Sequence, residues 1–121
     1  MGYRETTPLE TRRNDQRRVA EAYPARVACI VEPLGEAEPP IDKIKFVVPR
    51  DLLASHLLVV VRRRVHLDAS SALFLLLDGG TLPAMTETVG ALHRKHADAE
   101  DGFLYLKFAR ENAFGAWGSA R

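Results

Sequence analysis

An α+β domain, one β-sheet with helices packed against it, is the fold class this sequence predicts. Short runs with two-residue alternation occur at 26–32 and 103–108, and helical patterns occur at 7–22 and 86–96. The chain has 121 residues, which suits one domain around one core. Hydrophobic residues make up 46% and charged residues 27%, the balance of an ordinary globular protein rather than a disordered or membrane-spanning one.

Thr7-Pro8-Leu9-Glu10 reads as a helix start, with Thr7 as cap, Pro8 at the first helical position and Glu10 completing a capping box. A polar helical stretch follows to about Ala22, with Val19 and Ala22 turned toward the body. Tyr23-Pro24 ends it, because a residue before proline avoids the helical region. Arg26 to Glu32 is a strand, with Val27, Cys29 and Val31 on one face and Arg26, Ala28 and Ile30 on the other. Pro33 to Pro40 is a loop, and Lys45 to Val48 a second short strand stopped by Pro49.

Leu57 to Val61 reads two ways. Its β-branched content favours a strand, whereas the spacing of Leu53, Leu57, Val60 and Val61 fits a helix face with Arg62-Arg63-Arg64 at its C-terminal end. Leu73 to Leu77 is a continuous apolar run, as in a strand buried on both faces, and Asp78-Gly79-Gly80 turns the chain. Thr86 to His96 is helical, with Met85, Val89 and Leu92 on one face. Phe103 to Phe108 alternates, with Leu104, Leu106 and Phe108 inward and Phe103, Tyr105 and Lys107 outward.

The formal net charge of +1 gives no general case for nucleic acid, and no nucleic-acid partner is expected. The charge is uneven, however. Residues 43–66 carry Lys43, Lys45, Arg50, Arg62, Arg63 and Arg64 against Asp51 alone, a basic patch suited to an acidic partner. The single cysteine, Cys29, excludes an intramolecular disulfide and sits on an alternating strand face as a small core residue. His93 and His96 lie three apart but have no third partner in the pattern, so no metal site and no cofactor is expected. No stretch approaches the roughly 18 apolar residues that span a bilayer, and the N-terminus lacks a secretory signal, so a soluble, cytoplasmic start is expected.

Several segments follow one another in order: Arg12-Arg13, Tyr23-Pro24-Ala25-Arg26-Val27, Ile41-Asp42-Lys43, Lys45-Phe46-Val47-Val48-Pro49-Arg50-Asp51-Leu52, Arg62-Arg63-Arg64, Asp101-Gly102-Phe103-Leu104-Tyr105 and Glu111-Asn112-Ala113-Phe114-Gly115. Together they resemble the autophagy-related ubiquitin-like modifiers, the GABARAP-like family. The resemblance implies a ubiquitin-like β-grasp: a four-stranded mixed sheet with two packed helices, preceded by two N-terminal helices. It makes residues 57–64 a helix and divides the chain into an N-terminal helical extension (1–25), a β-grasp core (26–115) and a cleavable tail (116–121). Ala28 stands where the family commonly has proline, and Leu53 where it often has threonine.

What the resemblance implies chemically falls into two parts. Phe114-Gly115 precedes Ala116, the first residue of a tail that a processing cysteine protease would remove. Gly115 would then be activated and transferred by the pathway's activating and conjugating enzymes to the amine of phosphatidylethanolamine, taking the protein to autophagosomal membranes. The catalytic cysteines belong to those enzymes, so this chain is read as a substrate and not an enzyme. Glycine suits the role because a chain end without a side chain enters narrow channels.

The second part is a groove for receptors with an aromatic-x-x-aliphatic motif. The aromatic pocket maps to Asp15, Val19, Ala28, Ile30, Lys45, Val47 and Phe103; the aliphatic pocket maps to Phe46, Val48, Pro49, Leu52, Leu57, Val60 and Arg64. An unconjugated ubiquitin-like adaptor that only binds peptides is the alternative function.

Overall fold

The computed structural model describes residues 2–110. Its elements run α1 (Tyr3–Thr6), α2 (Leu9–Ala22), β1 (Arg26–Pro33), β2 (Lys45–Pro49), α3 (Ala54–Arg62), β3 (Leu73–Leu77), α4 (Val89–His96) and β4 (Leu104–Arg110). The strands form one four-stranded sheet in the order β2-β1-β4-β3. The central pair, β1 and β4, is parallel, and both outer pairs are antiparallel. The sheet is therefore mixed, and β2 and β3 are its edges, as the four-stranded expectation required.

Alternation along the strands sorts the core. Val27, Cys29 and Val31 meet Phe46 and Val48, Leu73, Leu75 and Leu77, and Leu104, Leu106 and Phe108 on one face, where α3 and α4 add Leu57, Val61, Val89 and Leu92. Each large side chain taken fully from water there contributes about 1.5–3 kcal/mol. Burial also resolves residues 57–61. In a helix Leu57 and Val61, one turn apart, both point to the sheet and are buried, while Val59 is 49% exposed. A strand would have put all three on one face.

The other face differs from expectation. Phe103 and Tyr105, expected to point outward, do leave the main core, yet they are buried with Ala28 and Ile30 in a second apolar cluster. Tyr3 and Val19, from α1 and α2, lie over that cluster. Ala22 faces solvent instead of the body. Beyond Val19, α2 is docked by charge. Arg12 Nη1 lies 2.6 Å from the Asp101 carboxylate, which also accepts from the Tyr105 hydroxyl (2.5 Å) and the Phe103 N–H (2.9 Å). Burial first, and then the Asp101 carboxylate, push the Tyr105 phenol well above its ordinary range.

Three helix starts depart from local signals, each for a tertiary reason. Thr7 does not cap α2. Its N–H closes α1 on the Tyr3 carbonyl (3.0 Å) and its carbonyl accepts from Arg12 Nε (3.0 Å), so α2 begins at Leu9 behind Pro8 without a side-chain cap. The fourth helix starts at Val89 rather than Thr86. The carbonyls of Met85 and Glu87 are taken by the Ser55 and Ala54 N–H groups of α3, and Thr88 becomes the cap through Oγ1 to the Ala91 N–H (3.1 Å). The same two bonds serve α3, whose cap residue Leu53 has no side-chain acceptor.

Gly90 tests the closeness of this packing. Its N–H donates to the Arg50 carbonyl (2.9 Å), and a Cβ at position 90 would lie 2.8 Å from that oxygen. Alanine ordinarily favours a helix by about 1 kcal/mol over glycine. Here the clash is with backbone and outweighs that gain. Gly90→Ala is expected to lose about 1–2 kcal/mol in chemical unfolding, with α4 shifted off the β2–α3 connection.

Candidate functional site

The candidate groove is the outer edge of β2, and backbone parity defines it. The Val31 N–H donates to the Ile44 carbonyl (2.7 Å) and the Arg50 N–H to the Ala25 carbonyl (3.0 Å). With Cys29 opposite Phe46 and Val27 opposite Val48, the even-numbered residues of β2 direct their backbone groups to β1. Lys45 and Val47 therefore turn theirs away from the sheet. The Val47 carbonyl accepts from Arg26 Nη1 (3.2 Å), an exposed side chain reaching over from β1.

Side-chain parity then divides the expected pockets. Phe46 and Val48 enter the main core, whereas Val47 packs on the second cluster with Ala28, Ile30 and Phe103, the face to which Lys45 also turns. The two residue sets lie on opposite faces of one edge strand. A strand added to that edge presents consecutive side chains to alternate faces, and an odd spacing of three sends its first and fourth residues to opposite faces. An aromatic-x-x-aliphatic segment has an odd spacing of this kind.

The aromatic set is brought together. Val19 lies over Ala28, Ile30 and Phe103, whose exposures are 1%, 0% and 0%. At the rim Lys45 Nζ lies 3.3 Å from the Asp15 carboxylate. Both side chains of this pair are partly solvated, so it contributes only about 0–1 kcal/mol. The Lys45 ammonium also lies 5.7 Å from the centre of the Phe103 ring.

The aliphatic set separates into three groups. Phe46, Val48 and Leu57 are fully part of the core, while Leu52 and Val60 are half-buried against it and Pro49 and Arg64 are exposed. The Pro49 carbonyl accepts from the Leu52 N–H (3.2 Å), a turn that holds Leu52 beside the start of α3. Pro49, Leu52 and Val60 are thus the apolar side chains of this set with solvent exposure, and Arg64 lies just past the end of α3.

Other candidates take structural roles. Cys29 is completely buried, and burial pushes its thiol up to about 12, which leaves it without a usable thiolate. His93 Nε2 is 2.8 Å from the Gly102 carbonyl. Among the described residues no group of three or more His, Cys, Asp or Glu could hold a metal ion, and no helix is long and apolar enough to cross a membrane. Phe114, Gly115 and Ala116 lie outside the described residues.

Two residues at the edge were not singled out by pattern. Arg26 is read locally as an ordinary outward strand residue. Tyr3 precedes any periodic segment; a lone aromatic followed by a charged stretch is its only signal. Its ring meets Phe103 edge-on, with centroids 5.8 Å apart.

Comparison with known proteins identifies the family and the fold. A family described as "Autophagy protein Atg8 ubiquitin like" matches residues 11–115. The chain is 41% identical over 112 residues to Autophagy-related protein 8a of Arabidopsis thaliana, covering 92% of this chain and 90% of the relative. It is 38% identical over 110 residues to Autophagy-related protein 8A of Oryza sativa subsp. japonica, covering 90% and 91%. The crystal structure of Trypanosoma brucei ATG8 superposes with a TM-score of 0.81 at 34% identity, covering 92% of this chain and 95% of that one.

Proposed function

The chain belongs to the Atg8 family of ubiquitin-like autophagy proteins, and from that membership we propose that it is a lipid-conjugated modifier that also recruits receptors through the β2 edge. The observation that carries the conjugation is the matched family span, which ends on Gly115 and leaves residues 116–121 beyond it. In this reading a cysteine protease cleaves the Gly115–Ala116 bond. Activating and conjugating enzymes then carry the Gly115 carboxylate as an adenylate and as thioesters to the amine of phosphatidylethanolamine. The lipid's two acyl chains anchor the protein firmly, since each buried CH₂ adds about 0.8 kcal/mol and two chains exceed the threshold for stable attachment. The protein moves from cytoplasm to autophagosomal membrane as a result.

Intact mass from cells tests this reading. A modifier loses the mass of residues 116–121 and, during autophagy, gains that of the phospholipid. A chain that keeps its tail throughout is instead an unconjugated adaptor.

Receptor binding proceeds by strand addition, with backbone bonds from Lys45 and Val47 supplying affinity and the two faces supplying specificity. Lys45 and Arg64 favour ligands with acidic flanks. An aromatic-x-x-aliphatic peptide is expected to bind at about micromolar Kd, near −8 kcal/mol. Leu52→Ala is expected to weaken it by roughly 1–3 kcal/mol through lost apolar burial. Lys45→Glu should weaken acid-flanked peptides most. Calorimetry showing no binding, or binding indifferent to both changes, removes the groove from the model of function.

A further inference from the structure

We propose that Tyr3 is a built-in, displaceable plug of the aromatic pocket, so that the N-terminal segment competes with receptors for the groove. The proposal rests on the groove reading and adds a regulatory step to it.

The pocket is closed in the chain by itself. Ile30 and Phe103, which would form its floor, have no solvent exposure. Tyr3 covers them in a manner that reproduces what an aromatic ligand needs. Its ring stands edge-on to Phe103 at an interplanar angle of 87°. The Lys45 ammonium lies 5.5 Å from the Tyr3 ring centre, and the Tyr3 hydroxyl donates to the Asp15 carboxylate at 3.4 Å. Asp15, Lys45 and Phe103 all belong to the aromatic set. A ligand ring carrying a donor, an indole N–H or a phenol O–H, can replace each of these contacts one for one.

The plug is held weakly enough to leave. The segment α1 has only four residues, none of them buried, and a helix of one turn does not persist without its anchors. The Tyr3 N–H is held by Glu32 Oε2 at 2.7 Å. Arg4 lies over the Tyr105 ring at 3.8 Å and pairs with Asp78 and Asp98, and the Arg4–Asp78 pair is partly solvated. The Tyr3–Asp15 bond is long. Because the plug is tethered, it competes as an intramolecular ligand and lowers apparent receptor affinity by the fraction of chains in which the pocket is open.

The test uses the full chain and a Trp-x-x-Leu peptide in calorimetry. Tyr3→Ala is expected to bind about fivefold to tenfold more tightly than the parent, the factor recovered when a pocket open in about 10–20% of chains becomes fully open. Tyr3→Phe keeps the ring and loses the bond to Asp15, so its affinity should fall between the two. Hydrogen exchange on the unmutated chain gives a second measurement that no folding defect can confound. The Tyr3 amide, protected by Glu32, should exchange faster when peptide is bound. If the parent binds peptide but Tyr3→Ala binds equally or more weakly, or if the Tyr3 amide becomes more protected, Tyr3 is a wall of the pocket and the plug is wrong. If neither chain binds, the groove itself is wrong and the plug falls with it.

Discussion

Replacing Gly115 with alanine is expected to leave the protein in the soluble fraction under conditions that move the parent to membranes. In the proposed function the reacting carboxylate passes through the narrow sites of several enzymes, and a methyl at the terminal Cα would obstruct sites shaped for an extended glycine. The loss should be close to complete, because anchoring depends on the attached acyl chains and the described residues provide no spanning helix. Flotation of cell extracts measures it, with release by phospholipase as the control for a lipid anchor. A chain ending at Gly115 should float without prior processing. Groove peptides should bind Gly115→Ala as they bind the parent, since every proposed groove residue lies between Asp15 and Phe103. If Gly115→Ala floats as well as the parent, conjugation at this glycine is wrong and the unconjugated adaptor becomes the better reading.

Asp101→Ala is expected to be the most damaging single change to the fold, at roughly 3 kcal/mol or more. The Asp101 side chain has no exposure, and it serves the Arg12 guanidinium, the Tyr105 hydroxyl and the Phe103 N–H together. Truncation leaves three donors without this acceptor in a region that water does not reach freely. Asp101→Asn retains one oxygen at nearly the same position and should lose distinctly less. Urea unfolding of the two variants and the parent decides the order. A local readout accompanies the global one: α2 should loosen over the second cluster, and amide exchange at Ala28 and Ile30 should accelerate before the main core opens. Equal stability of Asp101→Ala and the parent would mean that the Asp101 contacts do not dock α2.

The parts of the fold visible in the sequence are those with a short period. Alternation at 26–32 and 103–108 separates the two faces of the central strands, and those faces are the ones observed. The continuous run at Leu73–Leu77 is a strand with the expected bounds. The paired pocket sets came from family resemblance rather than from period, and their separation onto opposite faces of β2 follows from the same alternation. Local pattern marked helix ends less well. Thr7 is a good cap in isolation and Thr86 reads as the start of the last helix, but their neighbourhoods spend the backbone groups elsewhere.

By itself, then, the sequence determined an α+β domain, the two-faced character of its central strands and the family to which its motifs point, because these reside in neighbouring residues or in ordered short segments. Local pattern left residues 57–61 open and the family resemblance made them a helix; the tertiary structure supplied the physical reason, because burial of Leu57 and Val61 outweighs β propensity. It alone decided that Phe103 and Tyr105 are core rather than surface, because Tyr3, which covers Phe103, is contributed from the other end of the chain. A two-residue period reports which face a side chain takes; it carries no information about what a distant segment lays over that face.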